Sequence, residues 1–424
     1  MNDAHTYLGT AETGYGPVPI RLTRDERFQH LGVLGASGQG KSHLLSAIAV
    51  QDLARGDGIL YLDFHGDEIE FLLDRIPPHR WNQVCLVDLS QLEWVVAINV
   101  LEASHMDDHA RVADALVVGL RDIWAESWGP RMETILRHAA LALLEVPGAT
   151  LAHFSRLLTD DAFRASVTAR VSKPLTRSFF SDRFEEWRSA YRGEAIEPVL
   201  NKLDVLTFPA LLHTLGQHRR TLSLEDAMQG RRIILVNLAK GLGETGASLM
   251  GALLLAKVRT AAMARARLKP EERVDFHVLL DEAQNAATNS LPAALGELRK
   301  FSCSLTFTTQ ILSGLSERTR AALLGAIGTV ATFRTGPEDG AAIAPKFDDL
   351  HRTFNAGLLN ELSRGEMMVR VGANDVRRVR TPPPAPGFGT AEIVRQQARR
   401  HYARPRAEVE RRVHKTLNHP SNGQ

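Results

Sequence analysis

The eight residues Gly35, Ala36, Ser37, Gly38, Gln39, Gly40, Lys41 and Ser42 constrain this 424-residue chain more than any other stretch. They fit the pattern G-x-x-x-x-G-K-[ST]. An apolar run at 30–34 precedes them, and amphipathic spacing from 41 to about 54 follows. The segment therefore reads as strand, loop and helix. Glycines let such a loop wrap so that successive backbone N–H groups point inward. The helix N-terminus adds the positive end of its dipole. Residues 35–42 are thus the expected cradle for the phosphates of a nucleotide. Lys41 would supply a point charge to the outer phosphates, and the Ser42 hydroxyl would be a Mg²⁺ ligand.

The rest of the chain supports an α/β fold around that loop. Short runs rich in Val, Ile and Leu recur at 30–34, 58–62, 83–89, 232–238, 276–280, 304–308, 329–333 and 367–371. Most are separated by enough residues for a crossover helix. Near-continuous apolar strands alternating with helices predict a mostly parallel sheet covered on both faces. From 103 to 225 no strand-like run occurs. Helical spacing appears instead, as at Ile135, Ala139, Leu141, Leu143 and Leu144. The expected division is a first part of the core at 1–102 and an all-helical insertion at 103–225. A second part of the core follows at 226–380. A Pro-rich linker and basic helical tail end the chain at 381–424.

Composition narrows the class. Hydrophobic residues make up 44% and charged residues 24%, enough to bury a core and too ordered a balance for wholesale disorder. Cys85 and Cys303 lie apart, each in an apolar run, so neither a disulfide framework nor a cysteine metal site is expected. The start of the chain has no leader-like pattern, and the longest apolar run, 246–256, is short of the roughly 20 residues a spanning helix needs. A soluble cytoplasmic protein is expected. The net charge of +2 does not by itself point to nucleic acid. It is unevenly spread: residues 375–424 carry 11 basic and 4 acidic side chains, a net of +7, leaving −5 for the rest.

Two further strand ends carry chemistry. The run 276–280 ends in Asp281 and Glu282. Ligands of open α/β sheets bind just outside the carboxyl ends of the strands. Asp281 would hold Mg²⁺, and Glu282 would be the general base that polarises an attacking water. The run 304–308 ends near Gln310, which can hydrogen-bond the terminal phosphate or that water. A competing pattern exists. Asp63-Phe64-His65-Gly66 and Asn201-Lys202-Leu203-Asp204 would, with the phosphate loop, spell a GTPase. Against it, 201–204 lie in a helical segment with no strand before them, and Asp281 and Glu282 stay unexplained.

Taken together, 35–42, the 63–67 stretch, Ile98-Asn99-Val100-Leu101, 128–133, Asp281-Glu282-Ala283-Gln284, Arg299-Lys300 and Thr309-Gln310 resemble the HerA/FtsK-type P-loop ATPases. They most resemble the soluble ATPase domain of type IV secretion coupling proteins of the TraG/TraD kind. The resemblance runs from about Tyr7 to Arg380. It implies a RecA-like motor that hydrolyses ATP with Mg²⁺, assembles as a homo-oligomeric ring, usually a hexamer, and moves DNA. It also implies an arginine finger supplied by a neighbouring subunit. By spacing Arg299 matches, with Arg334 the other candidate. Asp63 would sit beside the metal or cap a turn. A protein-translocating secretion ATPase is the alternative function. DNA is the expected partner, with His218-Arg219-Arg220 one candidate contact. Another protein recruited by the helical insertion or the basic tail is a further expected partner.

Overall fold

The computed structural model describes residues 5–418 except 220, 239–241, 287–290, 311, 313–316, 349–352 and 373–374. The strands are β1 (Thr6–Thr13), β2 (Gly16–Leu22), β3 (Leu31–Leu34), β4 (Gly58–Asp63), β5 (Val84–Asp88), β6 (Trp94–Val96) and β7 (Ile233–Asn237). They continue as β8 (Phe276–Leu280), β9 (Cys303–Thr309), β10 (Thr329–Thr332), β11 (Glu366–Val371), β12 (Asp375–Arg380) and β13 (Ala403–Pro405). One 11-stranded sheet has the order β2-β1-β12-β11-β10-β3-β9-β8-β4-β7-β5. From β10 to β7 neighbouring strands run parallel. β4, β7, β8 and β9 are buried along their whole length, as strands covered on both faces must be.

The α/β class and the mostly parallel sheet agree with the sequence pattern. Two features differ. β11 runs antiparallel to β10, and β12, β1 and β2 extend the sheet antiparallel from it. These outer strands are buried only in part, so the unbroken burial that marks the inner strands stops at β10.

Two compact units share the chain. The first is Met1–Leu86, Glu225–Leu238 and Arg265–His401; the second is Val87–Leu224, Ala239–Ala264 and Tyr402–Gln424. These cuts differ from the expected 102/103, 225/226 and 380/381. Among the described residues, 103–225 hold only helical elements. The helix Gly243–Ala264 belongs with them because it packs on the helix His109–Ile123. Gly119 makes the approach close: a Cβ there would lie 3.4 Å from the Ala252 carbonyl oxygen. The segment Gly243–Arg267 is, by length and composition, one helix that could cross a membrane, longer than the run read from the sequence. Two thirds of its apolar window is buried inside the protein. Lys257, which interrupts it, is itself buried and donates to the Asn99 carbonyl and to Glu102 at 2.8 Å each.

The end of the chain is not a free arm. The Pro-rich linker is tied down along its length in the first unit. Phe388 N–H donates to the Asp74 carbonyl at 2.9 Å, Thr390 N–H to Asp74 Oδ1 at 2.7 Å, and Arg75 to the Ala385 carbonyl at 2.8 Å. The helix Ala391–Tyr402 then buries Val394 and Ala398 in the same core as Leu72 and Leu73. In the second unit β13 pairs with β6, and Val409 and Val413 of the helix Arg406–Asn418 pack on Val95 and Leu212. The i, i+4 apolar pairs were present in the sequence, outnumbered by the arginines of the same helices.

Candidate nucleotide site

β3 delivers the phosphate loop to the carboxyl edge of the sheet. Gly35 has φ +144°, and a Cβ there would come within 2.7 Å of Phe333 Cβ, so the strand can leave the sheet at this point only through glycine. The loop is pinned from two sides. Ala36 N–H donates to the Arg334 carbonyl at 2.8 Å, and Gly365 N–H donates to the Gln39 carbonyl at 3.1 Å. Gly40, at φ +115°, opens the helix Lys41–Arg55, whose first turn carries no acid. Its N–H groups and dipole end therefore face an anion without competition. Lys41 is buried, and its ammonium donates to the Ala36 carbonyl at 2.9 Å. Burial pulls its pKa down, against the upward pull of Asp281 and Glu282.

β8 ends beside it with the acids. Asp281 is buried, and burial raises its pKa, opposed by hydrogen bonds from Thr308 and Ser42. Thr308 Oγ1 donates to Asp281 Oδ1 at 2.5 Å and accepts the Glu282 N–H at 2.8 Å. One hydroxyl thus fixes both acids. Glu282 needs it: the residue sits at φ +50°, a left-handed conformation unusual for glutamate. Among the described residues its carboxylate is held by three donors. His65 Nε2 lies 2.8 Å from Oε2, Asn285 Nδ2 3.2 Å from the same oxygen, and Gln310 Nε2 bonds Oε1. His65 is raised in pKa, chiefly by the bond to Glu282.

The donor set suits a hard divalent cation. Ser42 and Asp281 offer oxygen ligands already in contact, and Asp63, Glu68 and Glu282 add negative charge felt by their neighbours. Asp63 plays a structural part. Its carboxylate accepts the N–H groups of His65 at 2.8 Å, Glu68 at 3.0 Å and Ile69 at 3.3 Å, capping the loop and the helix Asp67–Leu73.

The structure therefore brings together 35–42, Asp281, Glu282 and Gln310, and adds Thr308 and His65, which the sequence reading did not single out. Arg299 is elsewhere. It is exposed, in the turn Arg299–Phe301 before β9, at the far edge of the sheet from Gln310. The 7 residues of β9 put roughly 23 Å between those edges. Arg334 is exposed two residues after the end of β10, with its carbonyl on the phosphate loop. Of the remaining candidates, Asn201 to Asp204 lie at the end of the helix Ser189–Leu203 and its continuation, not at a strand end. His218 and Arg219 precede Arg220, which lies outside the described residues.

No family model matches the chain, and no curated protein sequence matches it. Solved structures do. The bacterial conjugative coupling protein TrwB, in an unbound form lacking its first 70 residues, aligns with a TM-score of 0.63 at 18% identity over 86% of this chain and 87% of that one. TrwB in complex with ADP and Mg²⁺ aligns with a TM-score of 0.65 at 18% identity over 86% and 87%. VirB4 of Thermoanaerobacter pseudethanolicus aligns at 0.58 and 15% identity over 91% and 98%. At these identities the likeness is one of fold: this chain is a P-loop α/β protein built on the architecture of the conjugative coupling protein TrwB and of VirB4.

Proposed function

We propose that the chain is a Mg²⁺-dependent ATPase that works as a ring, a hexamer, and moves DNA in the cytoplasm. The observation that carries hydrolysis is the gripped Glu282 carboxylate beside Lys41 and Asp281, since binding a nucleotide alone needs no such base. Lys41 would exchange the Ala36 carbonyl for the β- and γ-phosphate oxygens, a charge brought to where negative charge must be stabilised. Ser42 and Asp281 would hold Mg²⁺, which when bound neutralises phosphate charge. Glu282 accepts a proton from the attacking water, and Gln310 ties that carboxylate to the end of β9.

Arg299 supports assembly. The length of β9 keeps it from the site of its own chain, so it can act as a finger only on a neighbour's site. Its turn is braced for that: Arg265 donates to the Phe301 carbonyl and Arg273 to the Lys300 carbonyl, both at 2.8 Å. A ring also reconciles DNA with near-neutral composition, because a few basic residues per subunit repeat around one axis.

Turnover of ATP with and without duplex DNA at low salt tests the reading, together with particle mass in a non-hydrolysable ATP analogue. DNA-stimulated turnover by a hexamer is the expected result. A monomer under every condition removes the ring, and turnover indifferent to DNA favours a motor that moves protein. GTP strongly preferred over ATP would replace the motor with a GTPase.

A further inference from the structure

The candidate base is gripped from both sides of its strand. The sheet order is β9-β8-β4, and Glu282 follows β8, the middle one. Gln310, just beyond β9, bonds Oε1; His65, just beyond β4, bonds Oε2. His65 is not loosely placed. His65 sits in a loop whose turn is closed by the fully buried Asp63, which accepts the N–H of His65 itself. The backbone of Glu282 is fixed by Thr308. Yet the His65 side chain is 60% exposed, so its bond to Glu282 contributes little to the folded core.

A carboxylate has about four lone-pair positions. Among the described residues His65, Asn285 and Gln310 take three of them, which leaves one direction for a further donor such as water. A base so restrained can accept a proton from one place only. From this geometry we propose that His65 is a positioning residue for hydrolysis. With Asn285 it holds Oε2 of Glu282, so that the remaining lone pair, on the Oε1 that Gln310 bonds, meets the attacking water. The inference rests on Glu282 being the base.

Because His65 is exposed and acts through Glu282, its removal changes the chemical step and little else. His65→Ala is expected to lower kcat about 10-fold or more, the scale of a misplaced catalytic group, with KM for ATP and the melting temperature unchanged. His65→Gln, which restores an N–H donor at similar reach, is expected to recover most of the loss. Wild-type kcat in His65→Ala overturns the proposal, as does a loss accompanied by an equal fall in melting temperature that His65→Gln does not repair. A wild-type chain with no turnover at all removes the reading of Glu282 as a base, a result distinct from either.

Discussion

Replacing Thr308 with valine tests the logic of the site most directly. The side chain is fully buried, and valine has nearly its shape, so packing is kept and only the hydroxyl is lost. Two partners are then stranded. The Glu282 N–H loses its acceptor at 2.8 Å, and Asp281 Oδ1 loses its donor at 2.5 Å. A buried group without a partner costs about 1–3 kcal/mol. Asp281 keeps its bond from Ser42, so the lower half of that range applies to it. Thr308→Val is therefore expected to destabilise by about 2–5 kcal/mol. It also releases the left-handed backbone at Glu282, and kcat should fall on the order of 10- to 100-fold, equivalent to about 1.4–2.7 kcal/mol of barrier. Thr308→Ser keeps the hydroxyl and loses one methyl, which costs about 1 kcal/mol and leaves kcat near wild type. Urea denaturation and saturating ATP turnover measure both quantities. If valine and serine variants match in stability and in kcat, the shared hydroxyl does not hold the acids.

Other expectations follow from single contacts. Glu282→Gln should cut turnover about 100-fold or more while nucleotide binding, followed by a fluorescent ATP analogue, persists. Mixing Glu282→Gln with Arg299→Ala, each inactive alone, should restore partial turnover, because an intact base in one subunit then meets an intact finger from its neighbour; no recovery would place the finger elsewhere. His30, buried with Nε2–H on the Leu295 carbonyl and Nδ1 accepting from Leu305 N–H, is depressed from 6.5 to about 4, mainly by burial. The unfolded chain then binds a proton that the folded chain refuses, so stability falls as pH drops below 6.5 and levels off near 4. The loss from pH 7 to 5 is about 2 kcal/mol, read as the difference in pH slope between wild type and His30→Asn. Ending the chain after Gly389 should abolish basal turnover and lower the melting temperature, since Val394 and Ala398 leave the core of the first unit; an unchanged melt would show that helix to be an accessory.

The inner sheet and the phosphate loop were legible because their causes are local. A fully buried strand is a run of apolar residues, and a phosphate cradle is a fixed spacing of glycines, Lys41 and Ser42. Asp281, Glu282 and Gln310 were legible as polar residues at strand ends. His65 and Thr308 were not, because their significance depends on which strands are neighbours. Only with β4 and β9 on either side of β8 does His65, two residues beyond β4, meet Glu282, and strand order is a long-range property. Asp63 shows the same limit: its spacing suited a metal or a cap, and the three N–H groups around it decide for the cap. The helical tail was expected but its anchoring was not visible, since net charge counts every arginine while the packing rests on two small apolar residues per helix.

The interleaving of the two units has a consequence for how the molecule is made. The strand that carries the phosphate loop leaves the ribosome early, yet its neighbours β9 and β10 follow only after most of the chain; Leu305 N–H, for instance, bonds His30 across 275 residues. Each unit is likewise assembled from three separated segments. Nascent chains therefore hold β3 without either lateral partner through most of synthesis. Contacts of such sequence separation make folding slow. The candidate nucleotide site is in this sense a late product of biogenesis, and a chain stalled before β9 is complete presents an unpaired apolar strand to chaperones and proteases in place of that site.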